Sequence, residues 1–187
     1  MQQRLQTLGR VPAGGEPGQE ILARTYNRLA QLYDARQGGF GDFPKFPEAL
    51  DLNFLLHYYR YAGVARAREM VSFTLKKMAQ GGIYDQLGGG FHRYSTDALW
   101  IQPHFEKMLY DNALIAPLYL ADYQLTGSGL DRRVAAETLD FILRDLGVRQ
   151  AGFLPPWIPR ARAGRASITS GPSPKSSKSW EKRPRPW

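Results

Sequence analysis

At 187 residues, 43% of them hydrophobic, the chain has the length and apolar content for one domain with a buried core. A net charge of +8 suggests nucleic acid or an anionic membrane as partner. Residues 151–187 carry most of that charge: Arg160, Arg162, Arg165, Lys175, Lys178, Lys182, Arg183 and Arg185 stand against Glu181, leaving 17 basic and 16 acidic residues in 1–150. The body is therefore electrostatically ordinary, which argues against nucleic acid as its partner. The absence of cysteine excludes disulfides, thiolate chemistry and cysteine–zinc sites.

Residues 1–18 read as a flexible segment without an apolar signal core, and no apolar run approaches the roughly 18–20 residues of a membrane span. The expectation is a cytoplasmic protein with no membrane contact. From there the pattern is helical. Helix one, about Gln19–Arg36, puts Ile21, Leu22, Leu29, Leu32 and Tyr33 on one stripe. Helix two begins at Pro47, suited to a first turn that does not use its missing N–H. Its run EALDLNFLLHYYRY is apolar nearly all round, which predicts enclosure. Helix three, about Val64–Gln80, is amphipathic, with Arg66, Arg68, Lys76 and Lys77 outward. Helix four, about Pro103–Thr126, is again apolar around most of its girth, with a kink or break expected at Pro117. Helix five, about Leu130–Leu146, returns to a stripe of Val134, Leu139, Ile142 and Leu143.

The loops keep step with this alternation. Gly38-Gly39-Phe40-Gly41-Asp42 follows helix one, Gly81-Gly82-Ile83-Tyr84-Asp85 follows helix three, and Ala151-Gly152-Phe153 follows helix five. Glycine there fits a helix C-cap with positive φ. A repeated outer helix, glycine loop and inner helix predicts an array of helical hairpins with its loops on one face, where ligands would bind.

Three blocks, Gly38–Pro47 (GGFGDFPKFP), Gly81–Ser95 (GGIYDQLGGGFHRYS) and Pro103–Ala113 (PHFEKMLYDNA), resemble the thioredoxin-domain-containing proteins of the spermatogenesis-associated protein 20 type, in that family's order. The resemblance covers about Gln19 to Leu154. It implies a thioredoxin-like domain followed by an all-α (α/α)6 toroid, similar to that of six-hairpin glycosidases and sugar epimerases. This chain departs at both ends: the thioredoxin-like domain is missing, and about five helices stand where a closed ring has twelve. The implied organisation is a partial toroid over 19–154 and a disordered basic tail over 155–187, within a fragment of a longer protein.

The tail holds seven prolines, many serines and arginines, and no apolar periodicity. In the family this point resembles a Gly-Gly-Phe followed by an acidic, serine-rich run. Reading one nucleotide earlier across Trp157–Arg162, the code forces an Asp and permits Leu-Asp-Ser-Glu-Ser-Glu. The expectation is a frameshift near residue 154. The alternative is a genuine basic linker or nucleic-acid arm.

Candidate site residues gather between Gly88 and Asn112. His104 and Asp111, seven apart on helix four, would share a face, and Glu106 and Tyr110 would pair at i, i+4. His104 is the candidate proton-transfer group, with Glu106 and Asp111 as acid/base partners or orienters. His92, Arg93, Tyr94, Asp97, Trp100, Tyr110 and Asn112 would contact a polar, sugar-sized ligand, the aromatics by stacking. In the competing structural reading Asp97, Glu106 and Asn112 bind loop backbone, Arg93 and Lys107 pair with those acids, and both histidines are packed. His57 reads as a satisfied core residue and Lys45 as a solvated one. No metal or other cofactor is implied, since His92 and His104 lack metal-ligand spacing. Ser95 lacks a GxSxG context and Gly88–Gly90 is not followed by a phosphate-binding GK[ST]. Three functions follow: a carbohydrate-acting toroid, a scaffold or interaction module, and, resting on the tail alone, a nucleic-acid binder.

Overall fold

Apolar residues spaced three and four apart set five helices in the computed structural model, which describes residues 18–148 and 152–153. They are α1 (Gln19–Leu32), α2 (Ala49–Ala62), α3 (Ala65–Gln80), α4 (Leu109–Thr126) and α5 (Gly129–Phe141). A π-helical turn, Ile142–Leu146, extends α5 into a two-residue strand, β1 (Gly147–Val148), antiparallel to β2 (Gly152–Phe153). Gly63 and Gly127 end α2 and α4 at φ of 70° and 73°, their amides bonding back to Tyr59 and Tyr123. These left-handed caps turn the chain within two residues. They make two tight helical hairpins, α2–α3 and α4–α5, the second capped where the Ser128 side chain accepts the Asp131 N–H. Among the described residues no helix is long and apolar enough to cross a membrane.

Several sequence expectations are corrected. Helix α4 runs unbroken through Pro117, so the expected break is absent. Enclosure also differs. α3, expected to be half exposed, buries Ala67, Met70, Val71, Thr74, Leu75, Met78 and Ala79, because α2, α4 and α5 all pack on it. α2 buries only Leu52, Leu55 and Leu56 and leaves Leu50, Asn53, His57 and Tyr61 exposed. His57 is thus no core residue; its Nδ1 meets the Asn53 carbonyl at 2.9 Å on the surface.

The loop repeat is real but its register differs. Tyr33-Asp34 and Gly39-Phe40 pair exactly as many residues apart as Tyr84-Asp85 and Gly90-Phe91 do, through Tyr33–Phe40 and Tyr84–Phe91 bridges. In each loop the aspartate Oδ1 accepts two backbone N–H groups, from Arg36 and Gln37 in one and Leu87 and Gly88 in the other. In each, Oδ2 accepts a lysine: Lys45 Nζ at 2.7 Å and Lys107 Nζ at 2.6 Å. Besides the two helix caps, the positive-φ glycines among the described residues are Gly38, Gly39, Gly89 and Gly90, inside these turns, and Gly41, just after the first. Gly81, which does cap α3, has φ −87°, and it is small because the Trp100 carbonyl lies against it. The third loop has Leu146-Gly147 in place of Tyr-Asp.

The same lysine joins the two loops. Lys45, expected in solvent, is fully buried: its ammonium bonds Asp34 and the Ala98 carbonyl (3.1 Å) and lies 5.3 Å from the Trp100 ring. Burial pushes the Asp34 carboxyl up, but the Lys45 hydrogen bond and the two loop N–H groups outweigh it and hold it below the usual carboxylate range. Trp100 in turn donates its Nε1–H to the Gln37 carbonyl. Both long loops are thereby fixed at the same end of the helices.

Candidate functional site

Residues 103–108 were expected to open helix four. They form irregular, non-helical backbone instead, because their polar groups pair with the preceding loop. His104 N–H bonds the Tyr94 carbonyl (2.9 Å), Arg93 N–H the Glu106 carbonyl (2.7 Å) and Thr96 N–H the Gln102 carbonyl (2.8 Å). On the other side Lys45 and Ser95 exchange both backbone bonds, at 2.8 and 2.9 Å. Three short segments, from both long loops, therefore lie side by side in the order 45–95–103. Alternation across them lines up three rings. Phe46 meets Tyr94 at 4.9 Å, and Tyr94 stacks on His104 at 4.8 Å with 11° between the planes.

Beside this row stands a charged cluster. Glu106 Oε2 lies 3.4 Å from Arg93 Nη1 and 3.5 Å from His104 Nδ1. The Tyr110 hydroxyl and Glu106 both favour the charged Arg93, whose pKa is raised. Asp111, in the first turn of α4, has one buried oxygen with no hydrogen-bond partner. Burial pushes its carboxyl up to about 6, against Arg93, which lowers it, while Glu48 adds to the rise. Glu48 and Asp51, at the start of α2, are themselves raised, chiefly by burial. Sequence reasoning passed over Glu48; its φ of 45°, unusual for a side-chain-bearing residue, left no trace in the residue pattern.

Each expected site residue can be placed. Arg93, Tyr94, His104, Glu106, Tyr110 and Asp111 lie together on the loop face, although His104 and Glu106 precede α4, so neither expected helical spacing exists. Asp97 does not face this cluster: its carboxylate accepts the N–H groups of Leu99, Ile101 and Gln102. Those bonds, with Ser95, outweigh a burial term and hold its pKa down. Trp100 is fully buried and offers no ring face to a ligand. Asn112 is buried too, accepting the Phe91 N–H (2.6 Å) and donating to the Phe91 and Met108 carbonyls. His92 packs edge-on to Phe105 at 5.2 Å with its Nδ1 unpartnered. Burial, then Lys107, pushes His92 down to about 4, so it is neutral near pH 7. Lys107 pairs with Asp85, not with the motif acids, and also binds the Gly89 carbonyl. Among the described residues no group of three or more His, Cys, Asp or Glu is arranged to hold a metal.

This end-on pairing of loops over helical hairpins defines a class. The fold is similar to that of a sugar epimerase from a ruminal bacterium (TM-score 0.56, 15% identity, 71% of this chain and 39% of that one). It is equally similar to cellobiose 2-epimerase from Spirochaeta thermophila (TM-score 0.57, 21% identity, 71% and 38%). The chain is an all-α, incomplete (α/α)6 toroid. No family model matches it. In sequence it is 44% identical over 135 residues to spermatogenesis-associated protein 20 of Rattus norvegicus and 45% identical over 134 to that of Homo sapiens. An uncharacterised Caenorhabditis elegans protein is 42% identical over 112 residues. Over the matched stretch the chain belongs with spermatogenesis-associated protein 20. It covers 70% of its own length there but spans only 17% of the rat and human proteins.

Proposed function

We propose that this chain supplies part of a toroid that binds a neutral, sugar-like molecule at the loop face, with His104, Glu106 and Asp111 nearest the chemistry. The observation that carries the reading is the convergence of a half-exposed imidazole, a carboxylate with a raised pKa, an arginine and an aromatic row on one face. Arg93, Tyr94 and Tyr110 are the ligand contacts, and Asp111, near half protonation at pH 6, is suited to give or take a proton. The names of the two epimerases are consistent with a sugar-like ligand and with a role in carbohydrate metabolism. The rest of the toroid and a thioredoxin-like domain are proposed as covalent partners in a longer, cytoplasmic protein. The outward face of α4, with Leu114 and Leu120 at 42% and 45% exposure, is where further hairpins would pack; without them the chain alone has little activity. The frameshift near residue 154 falls outside the described residues and is tested by translating the DNA there in all three frames.

The test is cellobiose binding, by calorimetry, to a full-length protein containing this segment. Loss of binding in His104→Ala and Glu106→Ala at unchanged melting temperature is the expected result. Unaltered binding in both rejects the proposal. A second reading, a scaffold that positions another domain, is favoured by the structural bonding of Asp97, Trp100, Asn112 and Lys45. It takes precedence if the same variants lose stability and never bind differently from the parent.

A further inference from the structure

His104 is held on three sides. Its backbone N–H is bonded to Tyr94, and its carbonyl accepts the Glu106 N–H at 2.7 Å. Its ring lies flat on Tyr94, which Phe46 backs in turn. The third constraint concerns the two ring nitrogens. Nδ1 is enclosed and has no hydrogen-bond partner, yet the side chain is 42% exposed. The exposure therefore lies on the opposite edge, where Nε2 sits. Glu106 Oε2 lies 3.5 Å from the enclosed Nδ1 and 3.4 Å from Arg93 Nη1. Were the neutral ring protonated on Nε2, the Nδ1 lone pair would confront a carboxylate oxygen, two acceptors with no proton between them. With the proton on Nδ1 the contact is an N–H beside an anion, an electrostatic contact at 3.5 Å rather than a hydrogen bond.

We infer that Glu106 and Tyr94 hold His104 in its Nδ1–H tautomer, so that a bare Nε2 faces the solvent side of the loop cluster as the proton-accepting atom. This rests on the proposed ligand site, and it changes one assignment within it: Glu106 is a positioning residue, acting through His104, and not a proton carrier. In a turnover, the Nε2 lone pair forms an N–H bond as a ligand O–H breaks, leaving that electron pair on the ligand oxygen. The imidazolium so formed is neutralised by Glu106, and Nε2 returns the proton to the product, so the ring ends unchanged. Arg93 holds the carboxylate in place beside the ring. Tyr94 fixes the plane of the imidazole.

The experiment is a long-range ¹H–¹⁵N correlation spectrum of the full chain labelled at histidine, taken above the imidazole titration. The three histidines make it simple, and His104→Asn assigns the signal by its loss. The expected result is a protonated Nδ1 and a bare Nε2 for His104. Glu106→Ala shifts the ring toward the Nε2–H form that free histidine prefers. Tyr94→Leu gives a mixture of tautomers and Tyr94→Phe restores the parent pattern. An Nε2–H ring in the parent, or a mixture like that of free histidine, overturns the inference. So does a tautomer indifferent to Glu106→Ala. Should Glu106→Ala fail to fold, the parent spectrum still decides. The measurement needs no ligand, so its failure is distinct from that of the sugar-binding proposal, which is decided by cellobiose binding.

Discussion

Asp85 gives the sharpest test of how the loop face is held. Its Oδ1 accepts the N–H groups of Leu87 (3.0 Å) and Gly88 (2.9 Å), and its Oδ2 accepts Lys107 Nζ at 2.6 Å. Burial raises its pKa, but the Lys107 hydrogen bond and the two backbone donors prevail and hold it at about 2, against 3.8 for a free carboxyl. That displacement corresponds to about 2.4 kcal/mol at ~1.4 kcal/mol per pH unit. The side chain is 31% exposed, so water screens part of the pairing and about 1–2 kcal/mol is the expected net value. Asp85→Asn keeps an oxygen for the two N–H groups but removes the charge and puts an NH2, which cannot accept, in place of the oxygen that takes Lys107. Because the folded pKa is depressed, the contribution is complete above about pH 4 and is lost as pH falls through about 2. Urea unfolding of both proteins should therefore show the parent more stable by about 1–2 kcal/mol at pH 7, with the gap closing between pH 4 and 2. An equal gap at pH 7 and at pH 2 would refute the argument, since a charge-independent loss cannot come from the ion pair.

Three further outcomes are expected. Lys45→Ala leaves a cavity and strands Asp34, and should cost about 3 kcal/mol in a thermal or urea melt, with Lys45→Met recovering part of it by filling the space. Gly90→Ala imposes a side chain at φ +79° on a site where its Cβ would overlap the Phe141 ring, and should cost about 1–3 kcal/mol. Gly129→Ala, with nothing within 4 Å of the new Cβ, is its neutral control. Asp131 is buried at 4% exposure beside Asp122, whose Oδ1 accepts the Ser72 hydroxyl at 2.6 Å. Burial first, with Asp122 adding to it, raises the Asp131 pKa. With the folded pKa above the unfolded one, its favourable contribution is complete below about pH 4 and is lost as pH rises through the folded value. Asp131→Asn should remove that loss and make the chain more stable than the parent at pH 8, by chemical denaturation.

The helices were legible because each rests on its own apolar spacing, and all five are present, the fourth beginning at Leu109 rather than Pro103. What failed was anything decided by a distant backbone. Residues 103–108 have the composition of a helix start, but their N–H and C=O groups find partners in Arg93–Thr96, and cross-segment pairing leaves no local mark. The burial of Lys45 depends on Asp34 and Ala98, 11 and 53 residues away, so a lysine flanked by Phe-Pro pairs reads as solvated until the loops are joined. The loop register was available and missed. Matching glycine pairs set Gly38-Gly39 against Gly81-Gly82, whereas Tyr-Asp followed four residues later by Gly-Gly-Phe would have set it against Gly89-Gly90.

That corrected register says something about why the candidate site is where it is. Both turns use one device: an aspartate that caps its own turn through Oδ1 and takes a lysine through Oδ2. In the first loop the lysine's remaining bond goes across to Ala98, in the second loop, and this tether is fully buried. In the second, Lys107 stays within its own turn, bonding the Gly89 carbonyl, one residue from Glu106 and three from His104. The first copy thus fastens the two loops together, and the second anchors the very segment that carries the half-exposed imidazole and its carboxylate. A rigid turn under an exposed polar segment is what a ligand site requires of its scaffold. The structural and the functional readings of the motif are accordingly not rivals at every residue: Asp85, Asp97, Trp100, Lys107 and Asn112 hold the backbone, while Arg93, His104, Tyr110 and Asp111 remain the side chains proposed to meet a ligand, with Glu106 positioning His104.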